Sequence, residues 1–173
     1  HEKNGRDEDA LADIKRAVSV AQDKVAALIA YGTMLEKLNR QSEALRAYRE
    51  AAELAPSQSA AQFRKGWGQL TTASLDDAWH TFHRVLELDP NHLPSIANLA
   101  DIAYRHGENA EARQFADRAI ALQPGHIPAL VVLVRVATAE RNFSAAQSHL
   151  EAIPEPESLG PLDRANIIGA TAA

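Results

Sequence analysis

Histidine is the side chain best suited to chemistry near neutral pH, and this chain carries seven. His80 and His83 stand three residues apart, which on a helix brings two imidazoles to one side. A zinc site would need further ligands, yet the sequence has no cysteine and offers the pair no convincing third donor. The pair therefore reads as part of a solvated helix face, and no metal or cofactor is expected. His92 and His126 belong to a longer pattern and read as joint residues. No G-x-S-x-G elbow, phosphate loop or Gly-rich dinucleotide turn occurs. No catalytic residue is assigned, and the chain as given is not expected to be an enzyme.

With catalysis unsupported, the question becomes which elements could present a binding face. Ala10, Ala44, Ala78, Ala112 and Ala146 fall on one lattice of 34 residues, and Pro56, Pro90 and Pro124 on another. The clearest unit is Leu93 to His126, two amphipathic helical patterns joined at Gly107 and closed by Pro124. Ile96, Leu99, Ala100 and Ala103 form the apolar stripe of its first helix, and Ala112, Ala116, Ala119 and Leu122 that of its second. The organisation is a half repeat over 1–24, full repeats over 25–58, 59–92 and 93–126, and a shortened one over 127–153. A Pro-rich loop over 154–161 and the first helix of an incomplete repeat, or a cap, over 162–173 follow. Beginning on a second helix and ending on a first leaves an apolar surface at each end, suggesting truncation or self-association.

Composition narrows the partners. Aromatics are 5% of the chain within 46% hydrophobic residues, so the core must be Ala and Leu on closely packed helices. A net charge of -5 disfavours nucleic acid. No run of eighteen apolar residues exists, so no membrane insertion is expected. Cysteine-free composition suits cytosol and periplasm alike, leaving the compartment undetermined with the cytoplasm slightly favoured.

The second repeat resists the lattice. Strict spacing puts Gln62, Lys65 and Gln69 where its neighbours bury Leu28, Tyr31 and Leu35, and burying an unpaired lysine is costly. A shift of one residue places Phe63, Gly66, Trp67 and Leu70 in the core instead. The shift needs one extra residue before the helix and one fewer in the turn, where Ser74 and Asp77 suggest a capping box. This shifted register is the favoured expectation, with the strict one as its alternative.

A helical hairpin of this length, carrying Leu28, Tyr31, Gly32, Ala44, Tyr48, Ala51 and Pro56 in one copy and Gly66, Ala78, Phe82 and Pro90 in the next, resembles the tetratricopeptide-repeat family. The third and fourth copies add Leu99, Ala112, Ala119, Pro124, Leu133 and Ala146. The resemblance implies an all-α fold, a right-handed α-α superhelix of antiparallel helical hairpins, with a concave groove lined by first helices. It implies a non-catalytic scaffold that binds a protein or peptide. The alternative is the N-terminal arm of a larger bacterial enzyme of sulfotransferase or glycosyltransferase type, and a third expectation is a homo-oligomer formed through the end helices.

Carried over by position, the groove takes Ile29, Thr33 and Glu36 from the first repeat, and Arg64, Gly68 and Thr71 from the second on the shifted register. The third repeat gives Ala97, Asp101, Tyr104 and Arg105; the fourth gives Val131, Arg135 and Thr138. On the strict register the second repeat would offer Phe63, Trp67 and Leu70, an apolar patch suited to an amphipathic helix. The Lys and Asn set with which some family members clamp a C-terminal carboxylate is missing, and no such clamp is expected.

Overall fold

The computed structural model describes residues 2–153, with side chains from Asp9 onward. The expected loop over 154–161 and terminal helix over 162–173 lie outside the described residues. All regular structure among the described residues is helical, and the chain divides after Pro90 into two compact units.

The first unit contains α1 (Glu2–Val20), α2 (Lys24–Lys37), α3 (Gln41–Leu54), α4 (Ser59–Thr71) and α5 (Leu75–Leu88). Successive helices pack together, and α2 also meets α4. Leu11 of α1 joins Leu35, Ala44 and Tyr48 in one cluster, while Val18 joins Leu28 and Ala51 in another. The first half repeat thus caps the next hairpin by burying its apolar stripe. The second unit contains α6 (Leu93–Arg105), α7 (Asn109–Leu122), α8 (Ile127–Ala139) and α9 (Phe143–Glu151). Here α6 packs on α7 and α8, and α8 on α7 and α9, around Leu130, Val134, Ala137, Ala146 and Ile153.

Each hairpin turns through a residue with left-handed backbone: Asn39 (φ 58), Ala73 (φ 61), Gly107 (φ 80) and Arg141 (φ 60). These four share one lattice position. At each turn the next amide closes a long hydrogen bond onto the helix just ended: Arg40 to Leu35, Ser74 to Gln69, Glu108 to Ala103 and Asn142 to Ala137, at 2.8–2.9 Å. Such a bond satisfies carbonyls the helix end would leave orphaned. Asn and Gly suit the left-handed position, whereas Ala73 and Arg141 adopt it against the Cβ penalty.

This row of turns fixes the register of the second repeat, which is the strict one. Ala73 turns the chain where Asn39 and Gly107 do, so no residue is gained or lost. Gly66 approaches Phe82 as Gly32 approaches Tyr48: a Cβ built on them would stand 2.8 Å and 2.4 Å from the respective rings. The expected one-residue shift is therefore wrong. Gln62 and Gln69 are buried, at 7% and 4% exposure, while Phe63, Trp67 and Leu70 are partly exposed. The cost that favoured the shift does not arise, because Lys65 is only half-buried and Gln62 donates to the carbonyls of Ala52 (3.2 Å) and Pro56 (3.4 Å).

Smaller expectations also change. Ser74 sits at the N-cap of α5 but its side chain caps nothing, so the capping box is not formed. Leu122, expected on an apolar stripe, is 42% exposed at the last turn of its helix, and Leu54 at the equivalent place is 51% exposed. His92 and His126 are joint residues as expected, at the N-caps of α6 and α8. His92 Nδ1 accepts from the Ser95 amide at 3.3 Å, whereas His126 faces Ala129 at the equivalent place and its Nδ1 is buried with no partner.

Candidate peptide-binding face

The strict lattice sorts the first helices into three rows. One holds Ile29, Phe63, Ala97 and Val131, the next Thr33, Trp67, Asp101 and Arg135, and the third Glu36, Leu70, Tyr104 and Thr138. Arg64, assigned to the groove on the shifted register, falls one step round α4 from these rows, and Phe63, Trp67 and Leu70 take its place. Gly68 leaves the set as well: its Cα faces α3, where a Cβ would stand 3.1 Å from Leu45 and Tyr48 side-chain carbons.

In the first unit the face has an apolar aromatic part and a polar edge. Phe63 and Phe82 rings lie 5.8 Å apart, so Phe63 is both core neighbour and surface. Thr33 Oγ1 donates to the Ile29 carbonyl at 2.9 Å and lies 3.3 Å from the hydroxyl of Tyr48. The Tyr48 phenol is pushed up to about 12, first by burial, with the Thr33 hydrogen bond opposing and the Glu36 carboxylate adding to the rise. Glu36 Oε1 is buried with no well-formed hydrogen bond, and the Tyr48 hydroxyl is the donor that acts on this carboxylate. An oxygen so incompletely satisfied has capacity left for a ligand N–H.

In the second unit the face is charged. Asp101 Oδ1 lies 3.2 Å from Arg135 Nη1, and Asp101 Oδ2 lies 2.8 Å from Arg105 Nε. The Arg135 guanidinium stands 6.0 Å from the centre of the Tyr104 ring. Beside these groups is a cavity of about 240 Å³ with Ala97, Asn98, Val131 and Val132 among its walls. Ala97 and Val131 are buried and form floor, whereas Arg105 is exposed at the rim. Sequence reasoning found these residues by position but not their pairing, since one repeat of separation becomes adjacency only when α6 and α8 stack. The Glu36 oxygen was also missed, and no pattern in the sequence marks it.

Among the described residues no group of three or more His, Cys, Asp or Glu side chains could hold a metal ion, and no helix is long and apolar enough to cross a membrane. His83 packs its ring edge-on to Trp79 at 4.7 Å, so it serves packing within α5.

Helical hairpins stacked within each unit and repeated on one 34-residue lattice define a helical-repeat protein. The chain belongs to the tetratricopeptide-repeat family: one family model matches residues 1–59 and 63–127, and a second matches 103–158. A curated relative is the Protein CTR9 homolog of Arabidopsis thaliana, 30% identical over 116 residues, spanning 66% of this chain and 10% of that protein. The chain thus spans about a tenth of that relative's length. Among solved structures, PilF of Pseudomonas aeruginosa superposes with a TM-score of 0.73 at 22% identity, over 91% of this chain and 72% of that one. YrrB, a repeat protein with an unusual peptide-binding site, superposes with a TM-score of 0.65 at 27% identity, over 73% of this chain and 66% of that one.

Proposed function

We propose that the chain is a non-catalytic scaffold that binds a protein or peptide on the first-helix face of each unit. The observation that carries this reading is the character of those faces. Phe63, Trp67, Leu70, Tyr104 and Arg135 are large side chains left partly exposed, while the neighbouring stripes of the same helices are buried. Partly exposed Trp, Tyr and Arg are the side chains that most often anchor an interface. The face of the first unit suits the apolar side of an amphipathic helix, with Glu36 taking an N–H or cation at its edge. The face of the second unit suits a charged segment, because Asp101, Arg105 and Arg135 can exchange their mutual pairs for pairs with a ligand. The peptide-binding site described for YrrB supports the class of partner. Selecting ligands from a displayed random-peptide library tests the reading: binders should lose affinity with Trp67→Ala or Tyr104→Ala. Binders indifferent to both changes would sink the assignment.

A further inference from the structure

Behind α4, on a different side from Phe63, Trp67 and Leu70, lies a crevice of about 320 Å³ lined by Arg49, Glu53, Gln62, Lys65, Gln69 and Asp77. It occupies the place where the other repeats are apolar. The positions held here by Gln62, Lys65 and Gln69 carry Leu28, Tyr31 and Leu35 in the first repeat, Ile96, Leu99 and Ala103 in the third, and Leu130, Leu133 and Ala137 in the fourth. The fold does not require polar groups at these positions.

Two features distinguish the crevice from ordinary polar packing. Gln69 is 4% exposed, and its Oε1 is buried with no hydrogen-bond donor, whereas Gln62 spends its amide protons on Ala52 and Pro56. A leucine or alanine at position 69 would avoid that destabilising orphan, so the amide is retained at a cost to the fold. Around it stand two cations, Arg49 and Lys65, and two carboxylates, Glu53 and Asp77; among the described residues none of the four is held in an ion pair.

We propose that this crevice binds a small zwitterion of the free amino-acid class. Its carboxylate is met by Arg49 and Lys65, its ammonium by Glu53 and Asp77, and a side-chain N–H donor completes Gln69 Oε1. Balanced rim charge selects a ligand carrying both signs over a simple anion or cation. The buried acceptor selects a side chain with N–H groups, as in glutamine or arginine, over an aliphatic one.

The test is calorimetric titration of the chain with L-glutamine and with L-arginine, alongside N-acetyl-L-glutamine, which lacks the ammonium group, and agmatine, which lacks the carboxylate. At least one free amino acid binds, with a dissociation constant of about 1 mM or tighter, and both analogues bind at least ~10-fold more weakly. Gln69→Leu abolishes binding while raising the unfolding temperature of the free protein, which shows that the variant is folded. Arg49→Gln, at the exposed rim, weakens binding without changing that temperature. The proposal is overturned if neither amino acid binds at about 10 mM, or if Gln69→Leu binds as the natural chain does. Trp67→Ala leaves this titration unchanged, so failure here and failure of the peptide-binding reading are separate outcomes.

Discussion

Asp101 and Arg135 occupy the same place in successive repeats and meet at 3.2 Å, the two side chains 20% and 19% exposed. The contact is a product of stacking: 34 residues of chain return a helix to the side of its predecessor, one row position against the next. Because Asp101 also holds Arg105, removing its charge takes one carboxylate from two guanidinium groups at once. Asp101→Asn is expected to cost about 1 kcal/mol or less in stability. It should also shift the preference of this face toward acidic peptides, and a comparison of acidic and neutral peptides by fluorescence anisotropy, in wild type and variant, checks this.

The hairpin turns predict where the chain can be stabilised. Ala73 and Arg141 carry a Cβ at left-handed φ, where Gly107 does not. Ala73→Gly and Arg141→Gly should each raise stability by about 0.5–1 kcal/mol, the relieved backbone strain outweighing the added freedom of the unfolded chain. Gly107→Ala should lower it by about 1 kcal/mol by strain alone, since nothing lies within 4 Å of the added carbon. Urea denaturation of the three variants gives the comparison.

Close helix contacts predict the opposite sign for two other glycines. A Cβ on Gly32 would press on the Tyr48 ring, which is fully buried and cannot withdraw. Gly32→Ala should destabilise by about 1–2 kcal/mol despite alanine's better helix propensity, and Gly66→Ala against Phe82 by somewhat less. Equal stability of both variants with wild type would show that these rings are less tightly held than their packing implies.

Acid sensitivity should begin in the histidine range. Burial lowers His126 below its ordinary 6.5, and burial followed by the neighbouring His80 lowers His83. Both folded sites favour the neutral ring, so the unfolded chain takes up protons first as pH falls. Their stabilising contribution is complete above pH 6.5 and is lost as pH falls through the lowered folded values. His126→Asn, which removes the titrating ring and places a good N-capping residue at the start of α8, should flatten the dependence of urea midpoint on pH between about 7 and 5.

Much of this fold was legible in the sequence, because a period repeated four times specifies each helix several times over. Pro56, Pro90 and Pro124 mark the same boundary in successive copies. The second repeat misled because binary patterning assumes that buried means apolar. The assumption fails where Gln62 finds two carbonyls and Lys65 stays half out of the core. The turn row Asn39, Ala73, Gly107 and Arg141 was present in the sequence as a lattice position, but its residue types differ too much to announce a shared backbone conformation. The candidate face was legible in position and not in contact: Trp67 entered as a core residue, and the buried Glu36 oxygen depends on packing that no spacing rule encodes.

The most direct test of the account is the affinity of a library-selected peptide for wild type, Trp67→Ala and Trp79→Ala, measured by anisotropy with each variant's fold checked by circular dichroism. Trp67 lies on the proposed binding face and Trp79 on α5 against His83, so the two tryptophans separate the face from the rest of the first unit. The account predicts that a peptide bound in the first unit loses at least about 10-fold in affinity with Trp67→Ala, roughly 1.4 kcal/mol, and is unchanged with Trp79→Ala. The reverse pattern would contradict it.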